Sequence, residues 1–223
     1  PQRCQAIASL CVPYAVIDKG LQPLIELVDR DIYPQEEFPL GQWEYFGFYE
    51  ENFAKATAQM DANARNMVQL IFRQGGPDGR GLPSGTAMVR KENGWFGGLP
   101  EAPEVPRDDA VITAEDLEIY AHALHNNGFF GPNSWYMNHQ ANADFFDTLP
   151  NAGKLDVPAL FIHGRYDYTC ATVDSRLADP MRQLCSNLTE AVIDSGHWMA
   201  QEKPVEVNRE ITKWLFQVVP DVF

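Results

Sequence analysis

An aspartate and a histidine occupy equivalent places in the last third of the sequence. Asp167 lies four residues after the apolar run 157–163, and His197 lies three residues after a second run, 191–194. Short apolar runs bounded by turn-forming residues are typical of strands buried in a parallel sheet. Open α/β sheets bind ligands at the carboxyl ends of their strands. We therefore expect Asp167 and His197 to lie close together, so that the carboxylate orients the imidazole and stabilises its cation.

The composition favours a globular protein and argues against a nucleic-acid partner. The chain has 223 residues, of which 45% are hydrophobic, enough for one domain with a sizeable insertion. It carries 17 basic and 31 acidic residues, a net charge of −14. This acidity disfavours phosphate backbones and anionic membranes. No stretch approaches the roughly 18 apolar residues of a membrane-spanning helix, so we expect a soluble protein.

The cysteines and most of the histidines do not predict a metal site or a cofactor. The four cysteines form no C-x-x-C pair, and reduced thiols fit a cytoplasmic location. Cys4 and Cys11 lie in or beside an apolar run and are expected to be small core residues. His122 and His125 are three residues apart on a predicted helix, but no third ligand accompanies them.

Two further side chains are interpreted without a firm role. His139 is expected on a helix surface or lining a pocket. Asn187 begins an Asn-Leu-Thr glycosylation sequon, a pattern common by chance, and whether it is modified stays open.

The order of predicted elements indicates an α/β protein with parallel strands and a helical insertion. Thr113 is expected to cap a helix that runs to about Asn126, with Asp116 completing a capping box. The remaining predictions are strands at 6–12, 157–163 and 191–194, and helices at 51–74, 134–146 and 204–219.

Five stretches of the sequence resemble a known family. "FIHGRYDYTC", followed by "VIDSGHWMAQEKPVEVNREITKWL", resembles the C-terminal end of the α/β-hydrolases and is most similar to the soluble epoxide hydrolases. "WEYFGFYEE", which contains Tyr45, and "GFFGPNSWYMNHQ", which contains Tyr136, resemble cap-domain motifs whose tyrosines donate hydrogen bonds to the epoxide oxygen. "PQRCQAIASLCVPY" resembles the helix end and strand that follow the nucleophile elbow.

The resemblance implies the C-terminal part of an α/β-hydrolase fold, with parallel strands and an inserted, mainly helical cap domain. It places a core strand at 1–20, the cap at 21–150 and the core that carries acid and base at 151–223. It also implies an epoxide substrate, no cofactor and a homodimer.

The same resemblance gives four residues catalytic roles. Asp167 and His197 are the acid and base of a catalytic triad, and Tyr45 and Tyr136 stabilise the oxygen. Two phenols suit this role because a neutral O–H persists at pH 7 and can donate to a developing alkoxide. Tyr49, close to Tyr45, stays open as the alternative donor.

The expected nucleophile is missing from this sequence. The family pattern requires an aspartate at a Gly-x-Asp-x-Gly-like elbow between a strand and a helix, preceded by a His-Gly-x-Pro loop. Asp78 and Ser84 lie among glycines but follow a predicted helix, and His163-Gly164 ends the strand that leads to the acid. We therefore expect the nucleophile in an upstream segment, roughly 15 residues before Pro1.

Two other functions stay open. A haloalkane or haloacid dehalogenase would share the aspartate nucleophile but would stabilise a halide, usually with Trp or His donors. A non-catalytic fragment or binding domain would explain why the sequence contains no nucleophile. The aromatic residues near Tyr45 and Tyr136 form either cap core or an apolar substrate tunnel.

Overall fold

The computed structural model describes residues 3–219, which form two compact units. Unit 1 contains residues 3–27, the short segment Gly75–Pro77 and residues 139–219. Unit 2 contains Val28–Gln74 and Asp78–Asn138. The predicted division at residues 20 and 150 has the same order along the chain, and its assignment to a core and a cap stays a prediction.

A three-stranded parallel sheet lies at the centre of unit 1. Its strands β1 (Ile7–Leu10), β2 (Ala159–Gly164) and β3 (Leu188–Ile193) follow the order β1-β2-β3. The predicted parallel strands are thus confirmed, although β3 begins three residues earlier than its apolar run. Every residue of β2 is buried, as expected for an apolar central strand. By contrast, β1 is only partly buried, because within the described chain it pairs on one side only.

The two faces of β2 are covered by different helices, which makes unit 1 a layered α/β structure. Leu160 and Ile162 pack with Val207 and Trp214 on one face. Ala159 and Phe161 point to the other face, where they pack with a second group of buried residues: Ala178, Met181 and Cys185.

The helices of unit 1 include the predicted closing helix. Pro204 begins that helix at its first turn, where its missing N–H is tolerated. Cys11 belongs to the core as predicted, but Cys4 precedes β1 and is exposed, so that expectation was wrong. The α-helices of unit 1 are α1 (Leu21–Ile25), α7 (His139–Asp147), α8 (Asp179–Leu184), α9 (Met199–Glu202) and α10 (Pro204–Val218).

Unit 2 is helical. Its α-helices are α2 (Glu44–Ala62), α3 (Ala64–Ile71), α4 (Gly85–Met88), α5 (Ala114–Asn127) and α6 (Phe130–Ser134). The helix predicted over 51–74 is in fact two helices and begins earlier. Asn63 separates them, because it leaves the helical conformation and its side chain accepts the N–H of Asn66 at 3.1 Å, capping α3. The predicted capping box of Thr113 and Asp116 on α5 is confirmed.

The helix predicted over 134–146 is interrupted. After α6 the backbone tightens into a 3-10 turn at Trp135–Met137 and restarts as α7 at His139. Side-chain hydrogen bonds to backbone carbonyls accompany the break, from Ser134 to Phe130 at 2.6 Å and from Asn138 to Ser134 at 2.8 Å. His139 is buried within unit 1, so the first of its two expected positions, on a helix surface, was wrong, and the second, lining a pocket, stays a prediction.

The helices of the described chain were also compared with the length and hydropathy that a membrane span requires. No helix between residues 3 and 219 is both long enough and apolar enough to cross a bilayer.

Candidate active site

The site of unit 1 lies where the three parallel strands end. The parallel ladder continues beyond β2, because the N–H of Arg165 donates to Ile193 O and that of Tyr166 donates to Ser195 O, both at 2.9 Å. On the other side of β2, the N–H of Cys11 donates to Ile162 O at 3.0 Å. These bonds hold the loops that follow the strands side by side.

Asp167 is held in a fixed, buried position within its loop. Its side chain is only 1% exposed. One carboxylate oxygen, Oδ1, accepts the N–H of Cys170 at 2.8 Å. The other, Oδ2, lies 2.7 Å from Nδ1 of His197. The carboxylate is therefore oriented by its own loop and is aimed at the imidazole.

His197 has one ring nitrogen bound to Asp167 and a side chain that is 39% exposed. Burial lowers the pKa of His197, but the hydrogen bond to Asp167 and the charge of that carboxylate raise it further, to above its ordinary 6.5. Donation from Nδ1 to Asp167 leaves the lone pair on Nε2. This pair of residues is therefore arranged to take a proton from a water molecule.

Cys11 is a member of this site that the sequence reasoning placed only in the core. Its thiol lies 3.0 Å from the backbone oxygen of His197. Burial, and secondly the charge of Asp167, raise the pKa of the Cys11 thiol far above its ordinary range. Cys11 also has a positive φ of 62°, which is uncommon for a residue with a side chain. The position directly after β1 was the signal that could have drawn attention to it.

The donor atoms of Cys11, Asp167 and His197 all lie within 4.8 Å of one another, which raises the question of a metal. The separation between Nδ1 and Oδ2 is that of a charge-assisted hydrogen bond, and the raised pKa of the Cys11 thiol disfavours its thiolate. Metals bind the thiolate form of cysteine. The three residues are therefore better described as a hydrogen-bonded Asp167–His197 pair with a neighbouring thiol than as a metal centre. His122 was the other residue considered as a metal ligand, and its Nε2 lies 2.9 Å from the side-chain nitrogen Nδ2 of Asn126.

A second buried network supports the loop that carries Asp167. Nδ1 of His163, the residue before the end of β2, lies 2.8 Å from Thr172 Oγ1, and its Nε2 lies 3.0 Å from Glu190. Burial lowers the pKa of His163, while the hydrogen bond with Glu190 opposes the shift. The Thr172 contact ties the far end of the Asp167 loop to β2.

The two predicted tyrosines meet within unit 2. The rings of Tyr45, on α2, and Tyr136, in the 3-10 turn after α6, are 5.2 Å apart and nearly perpendicular, at 73°. Tyr49 stacks on Tyr136 at 5.4 Å, and its hydroxyl lies 3.9 Å from Met60 Sδ. Burial, and secondly the proximity of Tyr136, raise the pKa of Tyr49 far above its ordinary value. All three phenols therefore belong to one aromatic cluster, in which Tyr49 is the most deeply buried.

Each of the two residue pairs predicted from the sequence is thus formed inside one compact unit. Asp167 and His197 come together in unit 1, and Tyr45 and Tyr136 come together in unit 2. Their catalytic roles are taken up below as a proposal.

Comparison with solved structures defines the class of fold. The chain resembles epoxide hydrolase A from Mycobacterium thermoresistibile with a TM-score of 0.65 and 24% identity, over 96% of this chain and 62% of that one. An epoxide hydrolase from an endophytic Streptomyces has the same TM-score and identity. The chain therefore has part of the α/β-hydrolase fold, with an inserted helical region.

Comparison with known sequences shows a more specific similarity, to the epoxide hydrolases. The chain is 29% identical over 217 residues to the mouse bifunctional epoxide hydrolase 2, and 29% identical over 221 residues to epoxide hydrolase A of Mycobacterium tuberculosis. It covers 35% of the first and 62% of the second. No family model matches. The predicted resemblance to the epoxide hydrolases is confirmed, and the chain spans less than two thirds of these relatives.

Proposed function

We propose that this chain supplies the acid–base pair and the oxygen-binding tyrosines of an epoxide hydrolase, which adds water to an epoxide to give a vicinal diol. The observation that carries the proposal is the 2.7 Å hydrogen bond between His197 Nδ1 and buried Asp167 Oδ2, at the ends of neighbouring parallel strands. The rings of Tyr45 and Tyr136, whose centroids are 5.2 Å apart, add two phenols that are suited to binding an oxygen leaving group.

In the first step, an aspartate outside these 223 residues attacks one epoxide carbon. A carbon–oxygen bond of the ring breaks as the ester bond forms, and the electron pair stays on the epoxide oxygen. Tyr45 and Tyr136 donate hydrogen bonds to that oxygen as its charge develops. One of the two phenols then transfers its proton to the oxygen, which completes the alcohol and leaves a phenolate. Preorganised donors of this kind stabilise the transition state more than the neutral substrate.

In the second step, His197 accepts a proton from water through Nε2 while Asp167 stabilises the resulting imidazolium. The hydroxide adds to the ester carbonyl and the acyl–oxygen bond breaks, and the departing diol oxygen takes the proton of the added hydroxyl group. The aspartate is thus regenerated as a carboxylate, and the proton on His197 returns through solvent to the phenolate formed in the first step. The diol therefore keeps an oxygen from the aspartate, and the carboxylate gains one from water.

A single-turnover experiment in ¹⁸O-labelled water tests this order of events. The chain is expressed together with the segment that precedes it, in excess over an aryl epoxide. We expect a diol without ¹⁸O in the first turnover and label in the aspartate. Label appearing in the diol at the first turnover would mean that water attacks the epoxide directly, and the proposed ester mechanism would be rejected.

A substrate panel separates the proposal from the dehalogenase alternative. The same preparation is incubated with haloalkanes of matched size, and halide release is measured beside diol formation. We expect diol from the epoxides and no halide. Halide release without diol would favour the dehalogenase, and no turnover of either class would favour a non-catalytic role.

A further inference from the structure

Glu202 is a buried carboxylate beside the loop of His197 that the proposed reaction does not use. It is the last residue of α9 and is 8% exposed. Its Oε2 accepts the N–H of Gly196 at 2.8 Å and the N–H of Gly75 at 3.3 Å. One carboxylate oxygen thus binds two backbone segments that are 121 residues apart in the sequence.

Gly75 and Gly196 approach each other more closely than residues with side chains would allow. A Cβ atom built on Gly75 would lie 2.3 Å from the Cα of Gly196, and one built on Gly196 would lie 2.7 Å from the N of Gly75. Real Cβ atoms essentially never approach backbone so closely, so a side chain at either position would force the two segments apart. This close approach allows a single carboxylate oxygen to reach both N–H groups.

The segment Gly75–Pro77 also contacts the loop that carries Asp167. The hydroxyl of Tyr168 donates to the oxygen of Gly76 at 2.9 Å. A Cβ on Gly75 would come within 3.0 Å of the Cβ of Tyr166. The segment is therefore bound to the His197 loop through Glu202 and to the Asp167 loop through Tyr168.

We propose that Glu202 is a positioning residue for His197, which it holds against Asp167 by binding the N–H groups of Gly196 and Gly75. A hydrogen bond to an ionised carboxylate is stronger than one between neutral groups, and burial keeps water from competing. Gly196 directly precedes His197, so fixing its N–H restrains the imidazole that follows. The effect on turnover rests on the proposed function, whereas the structural coupling does not.

Nuclear magnetic resonance tests the coupling without any turnover. The hydrogen-exchange rates of the Gly75 and Gly196 amide protons are compared between the wild type and its variants. We expect both amides to exchange slowly in the wild type, because each donates to Glu202 Oε2, and both to exchange faster in Glu202→Ala, which removes the acceptor. Exchange should stay slow in Glu202→Gln, whose amide oxygen still accepts, and in Glu206→Ala, which removes a carboxylate from the first turn of α10. Equal exchange rates of these amides in the wild type and in Glu202→Ala would overturn the proposal.

Kinetics of the chain with its preceding segment test the consequence for His197. Glu202→Ala should lower kcat by about 10- to 100-fold with a smaller change in KM, as expected for a displaced catalytic group. The pKa of His197 should fall towards 6.5 as its bond to Asp167 loosens. Glu202→Gln, whose amide oxygen still accepts a hydrogen bond, should retain most of kcat. An unchanged kcat and an unchanged His197 pKa in Glu202→Ala would count against the positioning role.

Two glycine variants distinguish a loss of positioning from a general loss of folding. Gly75→Ala should reproduce the fall in kcat, because its Cβ meets the backbone of Gly196. Gly76→Ala is the matched control, because its Cβ meets nothing within 4 Å. Equal kcat in the two variants would contradict the proposal. If the protein hydrolyses no epoxide while the amide coupling is present, the proposed function fails and the role of Glu202 stands.

Discussion

Asp167 and His197 are 30 residues apart in the sequence, yet Oδ2 of the first and Nδ1 of the second are separated by 2.7 Å. The pairing follows from the parallel register of β2 and β3, which places Gly164 opposite Ile193. Two short loops then leave the same edge of the sheet and remain hydrogen-bonded to each other. Backbone hydrogen bonds therefore place the two loops side by side, and this brings Asp167 and His197 close enough for their side chains to meet.

Replacing Asp167 with Asn should impair the hydrolysis of the ester intermediate more than its formation. An amide cannot stabilise the imidazolium and favours the wrong tautomer of His197, an effect worth roughly 10⁴-fold in a serine protease. We expect the ester to accumulate, which the mass of the intact protein would reveal. A variant that turns over slowly without any accumulated ester would contradict the assignment of Asp167 to the second step.

The same variant should shift the pH dependence of turnover. In the proposed mechanism His197 accepts a proton and must therefore be neutral, so activity should rise with pH through the pKa of His197, which is raised above 6.5. Loss of the Asp167 charge removes the cause of that increase, so the acidic limb should move to lower pH. The comparison requires kcat profiles of both proteins, and an unmoved limb would show that another group controls it.

Replacing the tyrosines with Phe should separate the donors from their neighbour Tyr49. Loss of one oxyanion donor typically costs about 10²- to 10³-fold in kcat. We expect a fall with Tyr45→Phe and with Tyr136→Phe, and a larger fall in the double variant. Tyr49→Phe is the control, because the Tyr49 hydroxyl lies beside Met60. Near-normal diol formation by the double variant would remove the epoxide interpretation.

His163 and His197 should affect stability with opposite dependence on pH. The folded pKa of His163 is depressed, so its contribution is present above pH 6.5 and is lost as the pH falls through that pKa. The folded pKa of His197 is raised, so its contribution is complete below pH 6.5 and is lost as the pH rises.

Unfolding by urea between pH 5 and 8 checks this difference. Relative to wild type, His163→Gln should be more destabilising at the alkaline end and His197→Gln at the acidic end. Glu190 and Arg182, which face His163, are unchanged in both variants. Parallel pH profiles for the two variants would refute the assignment.

The cysteines should differ sharply in reactivity. Cys4 is exposed, whereas Cys11, Cys170 and Cys185 are buried and burial raises the pKa of each thiol. Since the thiolate is the reactive form, a thiol reagent should modify one of this chain's four cysteines quickly in the native state. All four should react after unfolding. Rapid loss of two or more native thiols would mean that the strand-end region opens readily.

Much of the site could be predicted from local sequence. The apolar run of β2 and the polar residues after it place Asp167 at a strand end, because burial on both faces of a sheet selects apolar side chains. Thr113 and Asp116 mark the start of α5, since a cap depends on residues only three apart. In the same way, the spacing of Val207 and Trp214 on α10 indicates the face that packs on the sheet.

The tertiary structure decided what depends on residues distant in sequence. The place of Cys11 directly after β1 puts it at a strand end, but its contact with the backbone oxygen of His197 depends on the fold. The position of the Glu202 carboxylate between Gly75 and Gly196 follows from no local pattern. Asn63 is of a residue type that often caps helices. The sequence nevertheless favoured a single helix over 51–74, because apolar residues recur at helical spacing on both sides of Asn63. Local spacing determines which residues share a face of an element, whereas the approach of two backbones depends on the packing of whole elements. The sequence alone thus predicted that Asp167 and His197 lie together at the ends of neighbouring strands, and only the fold decided which other groups hold the two residues in place.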